Sequence, residues 1–142
     1  MPDVNVLIYA HRADAPFHAP YYQWWNAVVN DARPFAISMQ VAVGFVRIVT
    51  QPKFPGGPTP LVGALAFMDD ILARPNCRVV VQEADHWQRT SRLCREAKAV
   101  GKLVADAQHA AIAIATGCTW VTRDADFIRF EPFGLDCQHL VL

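Results

Sequence analysis

The chain has 142 residues, 53% of them apolar, and its 13 basic and 13 acidic side chains cancel to a formal charge of zero. This length suits a single domain, residues 1–142, large enough to bury a core without disulfide or metal staples, and zero net charge excludes a global field that would draw the protein onto nucleic acid, so any RNA or DNA contact must be local. The apolar runs are too short for a membrane span, and the start, MPDVNVLIYAHR, lacks both a basic region and a small-residue cleavage site, which predicts a cytoplasmic protein without a signal peptide.

Val4 to Ala10 is apolar on both faces of either period, so periodicity leaves a buried strand and a short buried helix equally open. After the breaker cluster PFHAP, the stretch YYQWWNAVVND predicts a helix with its aromatic and Val positions on one side. Ser38 is placed to cap a second helix, MQVAVGFVRIVTQ, which ends before Pro52. KFPGGPTP has three Pro and two Gly in eight residues and reads as a loop. Thr59 and Pro60 then fit the cap and first turn of LVGALAFMDDILA. CRVVV, residues 77 to 81, predicts a buried parallel strand. A helix from about Glu83 to Val100 follows, then Gly101, then the helical stretch VADAQHAAIAIAT, which stops at Gly117. CTWVT and CQHLVL complete the strands. Strands separated by helices imply a three-layer α/β/α domain with a mainly parallel central sheet. Cys77, Cys94, Cys118 and Cys137 form no C-x-x-C pair and are expected to be buried, reduced thiols.

In such a sheet, ligands gather beyond the carboxyl ends of the strands. TRDADF, residues 122 to 127, lies at one of those ends and carries Asp124 and Asp126 one residue apart. Asp106 is expected in the first turn of its helix, where free N–H groups favour an ionised carboxylate. Asp3 precedes the N-terminal apolar run. Each of these acids, taken alone, is better explained by capping or a turn. Brought together they would repel one another and raise their pKa values unless a divalent cation neutralised them, and oxygen ligands without His or Cys suit Mg²⁺ or Mn²⁺.

DVNVLIYA at the start, GFVRIVTQP in the middle and LVADAQHAAIAIATGCTWVTRDADF near the end resemble the PIN domain and, within it, the VapC toxins of bacterial toxin–antitoxin systems. The resemblance covers essentially the whole chain. It implies a Mg²⁺- or Mn²⁺-dependent endoribonuclease, a homodimer and a cognate VapB-like antitoxin. Its acidic cluster falls on Asp3, Asp106 and Asp124, with Asp126 contributing and with Asn5 and Thr122 as polar neighbours that fix the carboxylates. Two departures stand out. Many relatives carry a Glu where this chain has Gly44, which keeps open a catalytically weak or inactive PIN module that binds RNA or antitoxin without cutting. Relatives also have an apolar strand before the first Asp, whereas here only Met1 and Pro2 precede Asp3; on that analogy NVLIYA opens a helix.

On that mechanism the cation would activate water and screen the phosphate. Arg89, Arg92, Arg95 and Lys98 recur every three residues and cover a broad helix face, either a plain solvated surface or a guide for the RNA backbone. Arg47 would touch RNA or antitoxin, or pair with an internal acid. His109 is expected to pack, not to ligate, and Trp24 and Trp25 to serve the core and a dimer surface. A haloacid-dehalogenase-type phosphohydrolase needs D-x-D after the first strand, and this chain has D-V-N.

Overall fold

The computed structural model describes residues 1–142. In chain order the elements are α1 (Val4–His11), α2 (His18–Val29), β1 (Phe35–Ser38), α3 (Met39–Val49), α4 (Leu61–Leu72), β2 (Cys77–Val80), α5 (His86–Glu96), α6 (Lys102–Thr116), β3 (Trp120–Thr122), a 3₁₀ segment (Ala125–Phe133) and β4 (Cys137–His139). Together they make a three-layer α/β/α domain, and every strand pairing is parallel. No helix is long and apolar enough to cross a membrane.

The strands form two ladders, β1 with β2 and β3 with β4, in place of one continuous sheet. Alongside β3 runs the segment Met1–Asp3. Pro2 bridges Val121 in parallel, the Val121 N–H donates to the Met1 carbonyl at 2.9 Å, and the Asp3 N–H donates to the Val121 carbonyl at 2.8 Å. Proline brings no N–H of its own, so the segment pairs with β3 through one bridge and then turns at Asp3. Asp3 therefore leaves the sheet at its carboxyl end, on the strand next to Thr122.

From there the chain goes directly into α1. Asp3 is its N-cap, Oδ1 accepting from the Val4 N–H at 2.6 Å, which settles Val4–Ala10 as helix. The apolar all-round pattern fits because α1 is buried, with Val6 and Leu7 fully enclosed. Ser38 closes β1 and caps α3, its Oγ accepting from the Val41 N–H at 3.2 Å. The core gathers around Trp120, Tyr21, Phe45, Phe127 and Phe130, all fully buried, and the Tyr21 hydroxyl donates to the Leu140 carbonyl at 2.6 Å.

Several expectations need correction. β1 was not foreseen: four wholly buried residues, FAIS, show no alternation to read. β2 is an edge strand with Arg78 and Val79 exposed, so its β-branched run reflects strand propensity and not burial. Pro60, not Thr59, holds the cap position of α4 and makes no side-chain cap bond, while the Thr59 hydroxyl accepts from Arg12. The helix expected from Glu83 to Val100 is only α5; it ends near Ala97, and Lys98 takes a left-handed φ of 51°. The four thiols are free but half-buried. Finally, α6 starts at Lys102, which puts Asp106 in the second turn, beyond the reach of the helix N-terminal N–H groups.

Candidate active site

Three chain segments meet beyond the carboxyl end of β3. Asp3, on the first, is only 7% exposed. Its Oδ2 accepts from the Thr122 hydroxyl at 2.5 Å and from the Asn5 amide at 2.7 Å. Thr122, fully buried on the second segment, also accepts from Asn5 Nδ2 at 3.2 Å and from the Asp124 N–H at 3.0 Å. Asn5 Oδ1 takes the Arg123 N–H at 3.3 Å. One hydroxyl and one amide thus stitch the start of α1 to the end of β3, and D-x-N and T-x-D are the two halves of that stitch. Asp124 goes on to cap the 3₁₀ segment, Oδ1 accepting from the Asp126 N–H at 2.9 Å.

Asp106 comes from α6, the third segment. Its Oδ2 is buried and has no hydrogen-bond partner, so it lacks the protein donors that Asp3 and Asp124 have. Burial, then the negative charge of Asp124, push its carboxyl above the ordinary carboxylate range, with Lys102 pulling the other way. Asp3 rises to about 6, chiefly through burial; hydrogen bonds from Thr122 and Val4 oppose the rise, and Asp106 and Asp124 add to it. The charge of Asp124 thus acts on both Asp3 and Asp106. Asp126 differs from them: Lys102 Nζ sits 2.7 Å from its Oδ2 and holds its carboxyl below the usual range. In sequence Lys102 only follows the basic row Arg89–Lys98; in the fold it lies four before Asp106 on α6, shares its face and belongs to the acidic cluster.

The donor set suits a hard divalent cation: carboxylate oxygens, one of them buried and unpaired, with no thiolate or imidazole among them. As folded, no three acidic, His or Cys side chains stand close enough to form a ready-made cage. Asp3 and Asp124 each spend an oxygen on a cap. Held by few carboxylates and by water, as Mg²⁺ commonly is, an ion still fits; a rigid protein-only cage does not.

At Gly44, a Cβ would stand 3.1 Å from Val4 Cγ2. Helix α3 therefore lies against α1 one residue from Asp3, and a larger side chain there requires Val4 to give way. Of the basic row, Arg89 pairs with Asp85 at 2.7 Å and Arg92 with Glu96 at 2.9 Å; two of its four charges are spent on nearby acids, while Arg95 and Lys98 remain exposed. Arg47 is exposed and joins none of the ion pairs. His109 stacks on Trp120, ring centres 5.3 Å apart and planes at 24°, and burial drives its pKa down to about 4. Trp25 is buried and Trp24 half-buried in the core.

His109 gives the fold a pH dependence of known sign. The folded state prefers the neutral ring, so its contribution is fully present above the ordinary pKa of 6.5 and is lost as pH falls through about 4. Asp3, raised to about 6, works in the opposite sense over an overlapping window, favouring the fold while protonated. Comparing wild type with His109→Phe isolates the histidine. In chelator, wild type should lose on the order of 2 kcal/mol relative to the variant between pH 7 and pH 4, read by urea unfolding. Parallel profiles would show that the ring is not desolvated.

Residues 1–131 match the PIN domain family. The chain is 37% identical over 129 residues to ribonuclease VapC43 of Mycobacterium tuberculosis (strain H37Rv), covering 91% of this chain and 88% of the relative. It is 35% identical over 128 residues to ribonuclease VapC31 of the same strain, covering 90% of each chain. Among solved structures, VapBC2 from Rickettsia felis, bound to a DNA fragment from its promoter, superposes with a TM-score of 0.68 at 21% identity, over 97% of this chain and 96% of that one.

Proposed function

Since the chain belongs to the PIN-domain family, and within it to the VapC ribonucleases, we propose that it is the toxin of a toxin–antitoxin pair, an endoribonuclease that cuts RNA at the Asp3–Asp106–Asp124 cluster with Mg²⁺ or Mn²⁺. The observation that carries this reading is Asp106: a carboxylate oxygen buried without a hydrogen-bond donor, close enough to Asp3 and Asp124 that the charge of Asp124 raises its pKa and its own charge raises that of Asp3. Left bare, such a group costs stability. A cation at this site supplies Lewis-acid activation of water and charge relief on the phosphate.

The remaining roles belong to the chain itself. Asp3, Asp106 and Asp124 hold the ion. Thr122 and Asn5 lock the Asp3 carboxylate, so that its geometry is set before substrate arrives. Asp126 orients the attacking water from the outer edge, where Lys102 tethers it. Arg95, Lys98 and Arg47, exposed and outside the ion pairs, are the candidates for RNA phosphates; Arg89 and Arg92 would first have to leave their acids. Gly44 supports a second reading, a PIN module that binds RNA or antitoxin and does not cut, because no carboxylate extends from α3 toward Asp3. Incubation of the purified protein with single-stranded RNA decides between them: cleavage with Mn²⁺ that stops in excess EDTA supports the nuclease, and no cleavage under either condition supports the binding module.

A VapB-like antitoxin is the proposed partner, and a homodimer the proposed assembly. The aromatic face of α2 is largely absorbed into the core, but α4 leaves Leu61, Val62 and Leu65 exposed, Val62 at 77%, an apolar strip suited to a second copy. Light scattering at micromolar concentration should give the dimer mass, and Leu65→Glu the monomer mass. A wild-type protein that is monomeric throughout would refute this assembly.

A further inference from the structure

Beside the acidic cluster, the outer side of α1 and the loop after α3 enclose a cleft of about 560 Å³. We propose that it receives one unstacked base of the RNA strand, the base next to the phosphate held at the acids. The proposal rests on the RNA-cutting function above. Asn5 is the hinge between the two sites, because it lines the cleft and also donates to Asp3 and Thr122. A ligand that fills the cleft thus lies against a residue directly bonded to the reacting cluster.

The chemistry of the walls selects the ligand. Arg12 gives Nε and Nη2 to the two oxygens of Asp14 at 2.7 and 2.6 Å, and Nη1 to the Gly57 carbonyl at 2.7 Å. Its donors are spent and its charge is matched, which disfavours a phosphate here. What remains is the half-buried ring of Phe54, one face of which carries the Arg12 guanidinium 4.8 Å from the ring centre; Tyr9 also lines the cleft, but its ring already packs against Tyr21 and Arg123. Aromatic rings and guanidinium planes are what splayed-out bases stack on in single-stranded RNA recognition. The volume is in the range of small-ligand sites. The walls are also fixed in advance. Gly56 takes φ +77°, and a Cβ there would fall 2.0 Å from Asp14 Oδ2, so the loop can lie on the Arg12–Asp14 pair only with glycine at this place.

The test uses single-stranded RNAs carrying an abasic residue at each position flanking the cut bond. Binding is measured in EDTA, where nothing is cut, and KM and kcat with Mn²⁺, for wild type and Phe54→Leu. Removing the base at one flanking position should weaken binding to wild type, and raise KM, about tenfold with kcat little changed. Phe54→Leu should weaken intact RNA several-fold and erase most of that abasic penalty. The inference is overturned if no position shows the penalty, or if the penalty is undiminished in a folded Phe54→Leu protein. It is equally overturned if the variant handles RNA normally and instead loses its antitoxin, since the cleft then serves a protein. Should wild type cut no RNA, the nuclease reading fails, while an abasic residue placed in turn at every position of a single-stranded RNA that binds in EDTA still decides the cleft; and if Phe54→Leu does not fold, the abasic series on wild type decides alone.

Discussion

Asp106→Asn is expected to reduce RNA cleavage by about 10²-fold or more while leaving the metal-free fold as stable as wild type or more so. The two halves of that result come from one observation. Asp106 Oδ2 is buried without any hydrogen-bond donor, and the charge on the side chain is opposed by burial and by Asp124. Asparagine keeps the shape and removes the charge, so no native bond is lost and a repulsion is relieved. An ordinary structural carboxylate behaves in the opposite way, because deleting its charge breaks the bonds it accepts. Thermal unfolding in EDTA should give a Tm equal to wild type or a few degrees higher, and added Mn²⁺ should raise the wild-type Tm only. Asp124→Asn should follow the same pattern more weakly in stability, since Asn can still cap the Asp126 N–H through Oδ1.

Thr122→Val is expected to cost about 2–3 kcal/mol of stability, although the side chains have nearly the same volume. The hydroxyl is fully buried and makes three bonds, to Asp3, Asn5 and the Asp124 backbone. Valine orphans the Asp124 N–H and takes the shortest donor from Asp3. The Asp3 carboxyl should then titrate higher than its present value of about 6, because that donor is one of the bonds holding it down. Cleavage should fall about 10- to 100-fold, with the pH at which activity appears shifted upward. Thr122→Ser keeps the hydroxyl and should restore both stability and the pH profile to near wild type. Loss in Thr122→Val without recovery in Thr122→Ser would assign the effect to packing of the methyl group, not to the hydrogen-bond hub.

Much of this site is written in local sequence. D-x-N and T-x-D-x-D mark strand ends because a helix cap and a turn each favour a short side chain with an acceptor oxygen, and the same residues are then brought together through parallel pairing that a two-residue start is enough to establish. What could not be read depends on distance or on degree of burial. The sequence puts Asp106 in a first turn because the helix start at Lys102 has no side-chain cap to mark it. Lys102 itself gains meaning only when the 3₁₀ segment brings Asp126 within 2.7 Å. Val4 to Ala10 carried no periodicity to separate helix from strand, and the Asp3 cap decided it. β1 was too short and too uniformly buried to show alternation. The cleft joins residues about 45 positions apart, through hydrogen bonds from Arg12 to Gly57 and Thr59, and no local pattern announces such a pairing. At Gly44 the resemblance to the family implies an acid that this chain lacks; the structure adds the reason a glycine fits, the close approach of α3 to Val4.

Whether Asp3, Asp106 and Asp124 form a cation site and not three independent caps is tested most directly by a Mn²⁺ titration of the apo protein followed by electron paramagnetic resonance. Wild type should show saturable binding, Asp106→Asn should lose it, and Thr122→Val should weaken it. Equal Mn²⁺ binding by wild type and Asp106→Asn, or none by either, would contradict the account.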